Sequence, residues 1–250
     1  MHPKPVALIT GANKGIGFQI AKGLTGHGFT VLVGSRDFDK GKAAAESIGE
    51  DARPLQIDVT DPHSLLTAAA SIRRDLGRLD VLINNAGISH AGEPGRPLQE
   101  IGKSGRPSTA SLDEVRAVFE TNVFGVIAVT QAMLPLLRGA PTARIVNVSS
   151  GSGSLTLNAD PTHSHREMFG AVYGPSKTAL NAMTLAFAIE LESTGIKVNT
   201  VCPGFTATDL NNFEGTGTTE QAARQPIRLA LLDEAVPNGT FSNANRELPW

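Results

Sequence analysis

Tyr173 and Lys177 stand four residues apart in Tyr173-Gly174-Pro175-Ser176-Lys177. On a helix that spacing puts a phenol and an ammonium on one face, one turn apart. Such a pair can move a proton to an oxygen whose charge is developing. A free phenol has a pKa near ~10, and a neighbouring cation favours the phenolate. Lowering the phenol by about 3 needs roughly 4 kcal/mol of differential stabilisation. Lys177 together with a second positive charge, on the molecule that exchanges hydride, is expected to supply it. Tyr173 is the only tyrosine in the chain. Ser149 and Ser150 are the nearby hydroxyls that could hold a substrate oxygen. Neighbours on a strand point to opposite faces, so only one of the two can face the site.

A second motif supplies a partner for this chemistry. Thr10-Gly11-Ala12-Asn13-Lys14-Gly15-Ile16-Gly17 follows the apolar run Val6–Ile9. Glycines at a strand-to-helix turn let the backbone approach phosphates, and the helix N-terminus adds free amides and a positive dipole. Gly11, Asn13, Lys14, Gly15, Ile16 and Gly17 are therefore candidates for a dinucleotide cradle. The spacing is G-x-x-x-G-x-G rather than the commoner G-x-G-x-x-G.

The end of the second strand bears on which dinucleotide is held. An acid there would bind the adenosine ribose and repel a 2′-phosphate. The strand instead ends Gly34-Ser35-Arg36, and Lys14 sits in the glycine loop. Two cations and no acid favour NADP(H). Asp37 argues the other way if it reaches the ribose. Asp58, with Val59 beside it, is a candidate for the adenine edge or, alternatively, a cap for the next helix. Asn84-Asn85-Ala86-Gly87 ends the fourth strand. Its small and amide residues, Asn85, Ala86 and Gly87, allow close approach to the adenosine ribose.

These motifs need a scaffold, and the hydrophobic pattern provides one. Val6–Thr10, Thr30–Gly34, Leu55–Val59, Val81–Asn84, Arg144–Val148 and Lys197–Val201 read as strands buried on both faces. Gly15–Leu24, Asp39–Ile48, Pro62–Leu76, Leu112–Leu137 and Tyr173–Glu192 read as helices. Asp61-Pro62 is an N-cap followed by a first-turn proline. Strand–helix alternation of this kind predicts a Rossmann-type, doubly wound parallel α/β sheet in a single domain over residues 1–250. Gly239–Ser242 is a candidate final edge strand. Ala91–Ser111 lacks periodicity and reads as an exposed loop kept soluble by Arg96, Lys103 and Arg106. Asn158–Gly170 reads as an insertion, and about 205–225 as a substrate lid.

Composition narrows the classes. The net charge is −2, which gives no electrostatic case for a nucleic-acid partner. Cys202 is the sole cysteine, so no internal disulfide forms, as suits a reducing cytoplasm. Met1–Pro5 carries no leader-like apolar stretch. Val123–Leu137 is the most apolar region, but Thr130, Gln131 and Pro135 interrupt it. It reads as a buried core helix rather than a membrane span. His163 and His165 lack a matched third ligand, so no metal site is expected.

Taken together, Thr10–Gly17, Asn84–Gly87, Asn122, Ser149-Ser150, Tyr173–Lys177 and Pro203-Gly204 occur in the order of the short-chain dehydrogenase/reductase family. The chain resembles that family over roughly Val6 to Phe241. Asn13–Gly17 and Val201–Gly204 look like its NADPH-dependent carbonyl reductases. The resemblance implies Asn122, Ser150, Tyr173 and Lys177 as the catalytic set. Ser150 is preferred because the family uses the second serine, and Asn122 holds a relay water. Tyr173 and Lys177 also touch the cofactor, Lys177 through the nicotinamide ribose. Pro203, Gly204 and Thr206 lie in a segment whose backbone meets the nicotinamide carboxamide, and Thr208 anchors the cofactor.

Ser150 and Tyr173 are 23 residues apart, farther than in many members. This insertion leaves monomer or homo-oligomer undecided. Leu155, Leu157, Met168, Phe169, Phe205 and Phe213 are candidates to line an apolar substrate pocket. The reading is an NADPH-dependent reductase of small ketones or aldehydes. The rival is a dinucleotide sensor without catalysis.

Overall fold

A computed structural model of the protein describes residues 4–93 and 95–250. Met1–Pro3, part of the leader reading, and Pro94 in the long loop lie outside them. The strands are β1 (Val6–Ile9), β2 (Thr30–Ser35), β3 (Ala52–Gln56), β4 (Val81–Asn84), β5 (Arg144–Val148), β6 (Lys197–Val201) and β7 (Phe241–Ser242). They form one sheet in the order β3-β2-β1-β4-β5-β6-β7, with every neighbouring pair parallel. The order reverses between β1 and β4. Open α/β sheets bind ligands beyond the C-terminal strand ends at such a switch point.

Each face of the sheet carries a helical layer, because side chains alternate along a strand. Leu8, Leu32, Leu82 and Ile145 pack toward one core with α3 (Pro62–Asp75), α6 (Gly125–Leu137) and α8 (Tyr173–Glu190). Ile9, Val31, Val33, Ile83 and Val146 pack toward the other with α1 (Gly15–Gly26), α2 (Phe38–Ile48) and α9 (Thr219–Ala230). The Asp61 side chain caps α3 by accepting from the His63 amide at 2.9 Å, with Pro62 at the first helical position.

Several boundaries differ from the sequence expectation. The third strand is Ala52–Gln56, not Leu55–Val59. Its register is fixed by Ser35 opposite Gln56, and Pro54 is tolerated on an edge strand. Ile57 is buried just beyond the last ladder pair, so an apolar run reports burial there, not pairing.

The helix expected over Leu112–Leu137 is three pieces. α5 (Leu112–Phe119) passes into a π-helical turn, Glu120–Phe124, and then into α6. This run has the length and apolarity of a membrane span, yet about half of its most apolar stretch is buried (50%), with Val129, Met133 and Leu137 fully enclosed.

The long loop contains α4 (Leu98–Ser104), and the insertion contains α7 (Leu155–Ala159) and a 3₁₀ turn at Arg166–Met168. Arg96 is not a solvated loop cation. It pairs with Glu114 at 3.0 Å and both side chains are largely buried. The expected lid over 205–225 is cut short by α9, whose Thr218–Gln221 capping box starts a helix that packs on α1.

Candidate active site

The C-terminal ends of β1 and β4 meet at the glycine loop. Gly11 and Gly15 have φ +64° and +60°, in the left-handed region that side chains disfavour. A Cβ on Gly11 would lie 3.0 Å from Ala86 Cα. One on Gly17 would lie 2.5 Å from Asn85 Nδ2 and 2.6 Å from Gly11 O. The cradle is therefore open only because these residues have no side chain. Asn85 ties it to β4 by donating to the Thr10 and Gly11 carbonyls at 2.9 and 3.1 Å. Thr10 Oγ1 accepts from the Asn85 and Ala86 amides at 3.0 and 3.1 Å. At the start of α1, Lys14 provides no side-chain cap and no acid stands in the first turn. These amides and the helix dipole suit a pyrophosphate, so the residues fit a dinucleotide.

At the second-strand end Ser35 is buried, and Arg36 is exposed. Asp37 is engaged elsewhere. It caps α2, accepting from the Lys40 amide at 3.1 Å, and pairs with Lys40 Nζ. Those contacts hold its carboxyl below the usual range. Asp58 accepts from Thr60 N and Oγ1 at 2.9 and 2.7 Å, making a local turn rather than a helix cap. Val59 packs its carbonyl against Gly125, where a Cβ would come within 3.0 Å.

The residues expected to handle the proton gather beside the cradle. Ser149 and Ser150 follow β5 and separate in role. Ser149 is buried and donates to Asn181 Oδ1 at 2.7 Å. Ser150 is partly exposed, and its side chain lies near enough to the Tyr173 hydroxyl to favour the phenolate. Its Oγ also accepts from the Ser152 amide at 3.2 Å, which fixes its rotamer. The two neighbours thus face different surroundings, as alternation along a strand requires.

Tyr173 and Lys177 occupy the first turns of α8. Lys177 is buried and its Nζ donates to the Val148 carbonyl at 2.9 Å. The ammonium lies 5.7 Å from the Tyr173 ring centre. Burial brings Lys177 down to about 8.

The phenol departs from expectation. Tyr173 is partly open to the cleft, but burial of the hydroxyl pushes it up to about 12. The Ser150 side chain opposes that shift, and Lys177 is not among its causes. Lys177 donates to the Val148 carbonyl, and in this state burial of the phenol outweighs what its neighbours do to ionise it.

Asn122 lies in the π-helical turn and is fully buried. Its Oδ1 accepts from Ile88 N at 2.9 Å, and its Nδ2 donates to Ile88 O and Ser176 Oγ at 2.8 and 3.0 Å. A Cβ on Gly87 would stand 3.2 Å from Asn122 Oδ1 and 3.5 Å from Lys177 Nζ. Asn122, Lys177 and the β4 loop thus converge on one point. Ser176 and Asn181 were missed by sequence reasoning. Ser176 lies within the Tyr173–Lys177 motif, and Asn181 is one turn beyond Lys177, a spacing that signals the shared face.

Beyond β6, Pro203 and Gly204 lead to Thr206, whose Oγ1 donates to the Pro203 carbonyl at 3.2 Å. Thr208 Cγ2 lies 3.8 Å from where a Cβ on Gly15 would stand, closing the groove opposite the glycine loop. Of the expected pocket residues, Leu155, Met168, Phe205 and Phe213 are exposed, and Leu157 and Phe169 are partly buried. His165 packs on Phe205, joining the insertion to the post-β6 segment. His163 and His165 rings are 6.0 Å apart, and no cluster of three metal-binding side chains occurs among the described residues.

A family model described as short chain dehydrogenase matches residues 5–218. A relative named short-chain dehydrogenase anuI, from Penicillium roqueforti, is 36% identical over 95% of this chain and 92% of its own. Mouse carbonyl reductase [NADPH] 1 is 29% identical, with 99% of each chain covered. The structure of salutaridine reductase from Papaver somniferum superposes with a TM-score of 0.79 at 29% identity, covering 96% of this chain and 100% of that one.

Proposed function

Given that the chain belongs to the short-chain dehydrogenase/reductase family, an oxidoreductase family, we propose that it uses NADPH to reduce a ketone or aldehyde to an alcohol. The observation that carries the reading is the convergence of Ser150, Tyr173, Lys177 and Asn122 beside a side-chain-free cradle at the sheet's switch point.

When bound, NADPH would supply the hydride that adds to the carbonyl carbon. Gly11, Asn13, Lys14, Gly15, Ile16 and Gly17 would hold its phosphates. Asn85, Ala86 and Gly87 would border the adenosine ribose, and Asp58 with Val59 the adenine. Pro203, Gly204, Thr206 and Thr208 would border the nicotinamide end. Ser150 donates to the substrate oxygen and aims it at Tyr173. Tyr173 gives its proton to that oxygen as negative charge develops. A phenol near 12 stays protonated until then, and Lys177 stabilises the phenolate left behind. Asn122 fixes the Ile88 backbone that borders Lys177.

Arg36 and Lys14, with Asp37 occupied by Lys40, favour the 2′-phosphorylated cofactor. The mouse relative's name supports the same choice. The exposed apolar residues around the cleft suit a small apolar carbonyl compound. We place the protein in the cytoplasm, where its single cysteine needs no partner, as one catalytic domain.

Tyr173→Phe tests the assignment. Turnover is expected to fall about 100-fold or more, while NADPH binding measured by fluorescence stays within about twofold. A folded variant that has lost NADPH binding, or one that keeps wild-type turnover, would contradict the role given to Tyr173.

A further inference from the structure

The glycine loop and the post-β6 segment are joined by an ion pair that the mechanism does not use. Lys14 Nζ lies 3.1 Å from Asp209 Oδ2, with the two side chains 63% and 55% exposed. Asp209 opens the 3₁₀ turn Asp209–Asn211, directly after Thr208. Thr208 is also where this segment touches the glycine loop at Gly15. The pair therefore bridges the glycine loop and the post-β6 segment, the two walls of the proposed dinucleotide groove.

The two cations assigned to the 2′-phosphate are not equivalent. The glycine loop is bonded to the end of β2, since Ala12 N donates to Gly34 O at 2.9 Å. Lys14 and Arg36 thus sit on adjoining loops. Arg36 forms no ion pair among the described residues, and its acidic neighbour Asp37 is held by Lys40. Lys14 has its charge answered by Asp209.

We propose that Asp209 sets how strongly the protein discriminates NADPH from NADH, by competing with the 2′-phosphate for Lys14. This rests on the dinucleotide reading above. An incoming 2′-phosphate must draw Lys14 away from Asp209, which leaves a carboxylate facing an anionic ligand. NADH makes no such demand. An exposed ion pair is weak enough to break on binding, yet strong enough to change a dissociation constant severalfold.

The experiment is a fluorescence titration of the full chain with NADPH and NADH. The wild type is compared with Asp209→Asn, Lys14→Gln and the double variant. Asp209→Asn is expected to tighten NADPH binding by about two- to fivefold and NADH by clearly less. In the Lys14→Gln background the same change is expected to have much less effect on NADPH. Added salt shrinks the difference, as screening requires. Thermal unfolding checks each variant, and Asp209→Ser repeats the charge removal with a different side chain. Equal tightening of both dinucleotides would mean that Asp209 repels their shared pyrophosphate, and the proposal falls. An unchanged ratio overturns it as well. A wild type that binds neither dinucleotide refutes the functional reading itself, an outcome separate from both.

Discussion

Ser149 and Ser150 are adjacent, share a side chain and face opposite ways. Ser149 is enclosed and bonded to Asn181, whereas Ser150 reaches Tyr173. Ser150→Ala is expected to lower kcat/KM about 100-fold with little change in melting temperature. Ser149→Ala is expected to cost about 1–2 kcal/mol of stability, because Asn181 Oδ1 loses its buried donor, with a smaller kinetic effect. Kinetics and thermal unfolding on both variants check the split, and a larger kinetic loss in Ser149→Ala would reverse the assignment. Lys177 gives a pH signature. Its folded value, about 8, lies below the free lysine value near ~10.4. Between the two the unfolded chain binds more protons, so this residue's contribution to stability rises with pH across that window. Tyr173 does the opposite from ~10 to about 12, where the folded state holds the extra proton. In the kinetics, kcat/KM for reduction is expected to fall as pH rises through about 8, as Lys177 loses its charge. A flat profile from pH 6 to about 9.5 would contradict this role.

At the scale of elements, the site is built by turns that end strands and open helices. The glycine loop was legible because Gly11 and Gly17 occupy space that a Cβ would fill and Gly15 has a φ of +60°. Gly17→Ala is expected to destabilise the fold by about 1–3 kcal/mol and weaken dinucleotide binding, since the added carbon meets Asn85 and the Gly11 carbonyl. Unaltered binding and melting would show that the loop relaxes. The π-helical turn was not legible. Its residues, Glu120–Phe124, carry ordinary helical periodicity, and only tertiary contacts of Asn122 with Ile88 and Ser176 distinguish it. α9 was hidden for another reason. Gly215 and Gly217 just before it look like loop, while its capping signal, Thr218 with Gln221, is brief. α4 has only seven residues and buries none, so its pattern carries little information.

For the whole molecule, seven parallel strands bring the candidate residues that follow them to one end of the sheet, beyond the C-terminal strand ends. That arrangement was legible from Val/Ile/Leu runs alternating with helices, because parallel strands buried on both faces leave such runs. The reach of Lys14 to Asp209 was not legible, because the two are far apart in sequence and meet only when β1 and β6 lie in one sheet. Cofactor preference is likewise a property of adjoining loops. Arg36→Asp is expected to shift the ratio of kcat/KM values toward NADH by about tenfold or more, and an unchanged ratio would remove Arg36 from the specificity set. The most direct measurement is the initial rate of NADPH oxidation by the purified protein with aryl ketones, α-keto esters, quinones and cyclic ketones. Turnover on at least one class, faster with NADPH than with NADH and lost in Tyr173→Phe, is the expected result. Confirmed NADPH binding without turnover on any class would contradict the assignment of a carbonyl reductase.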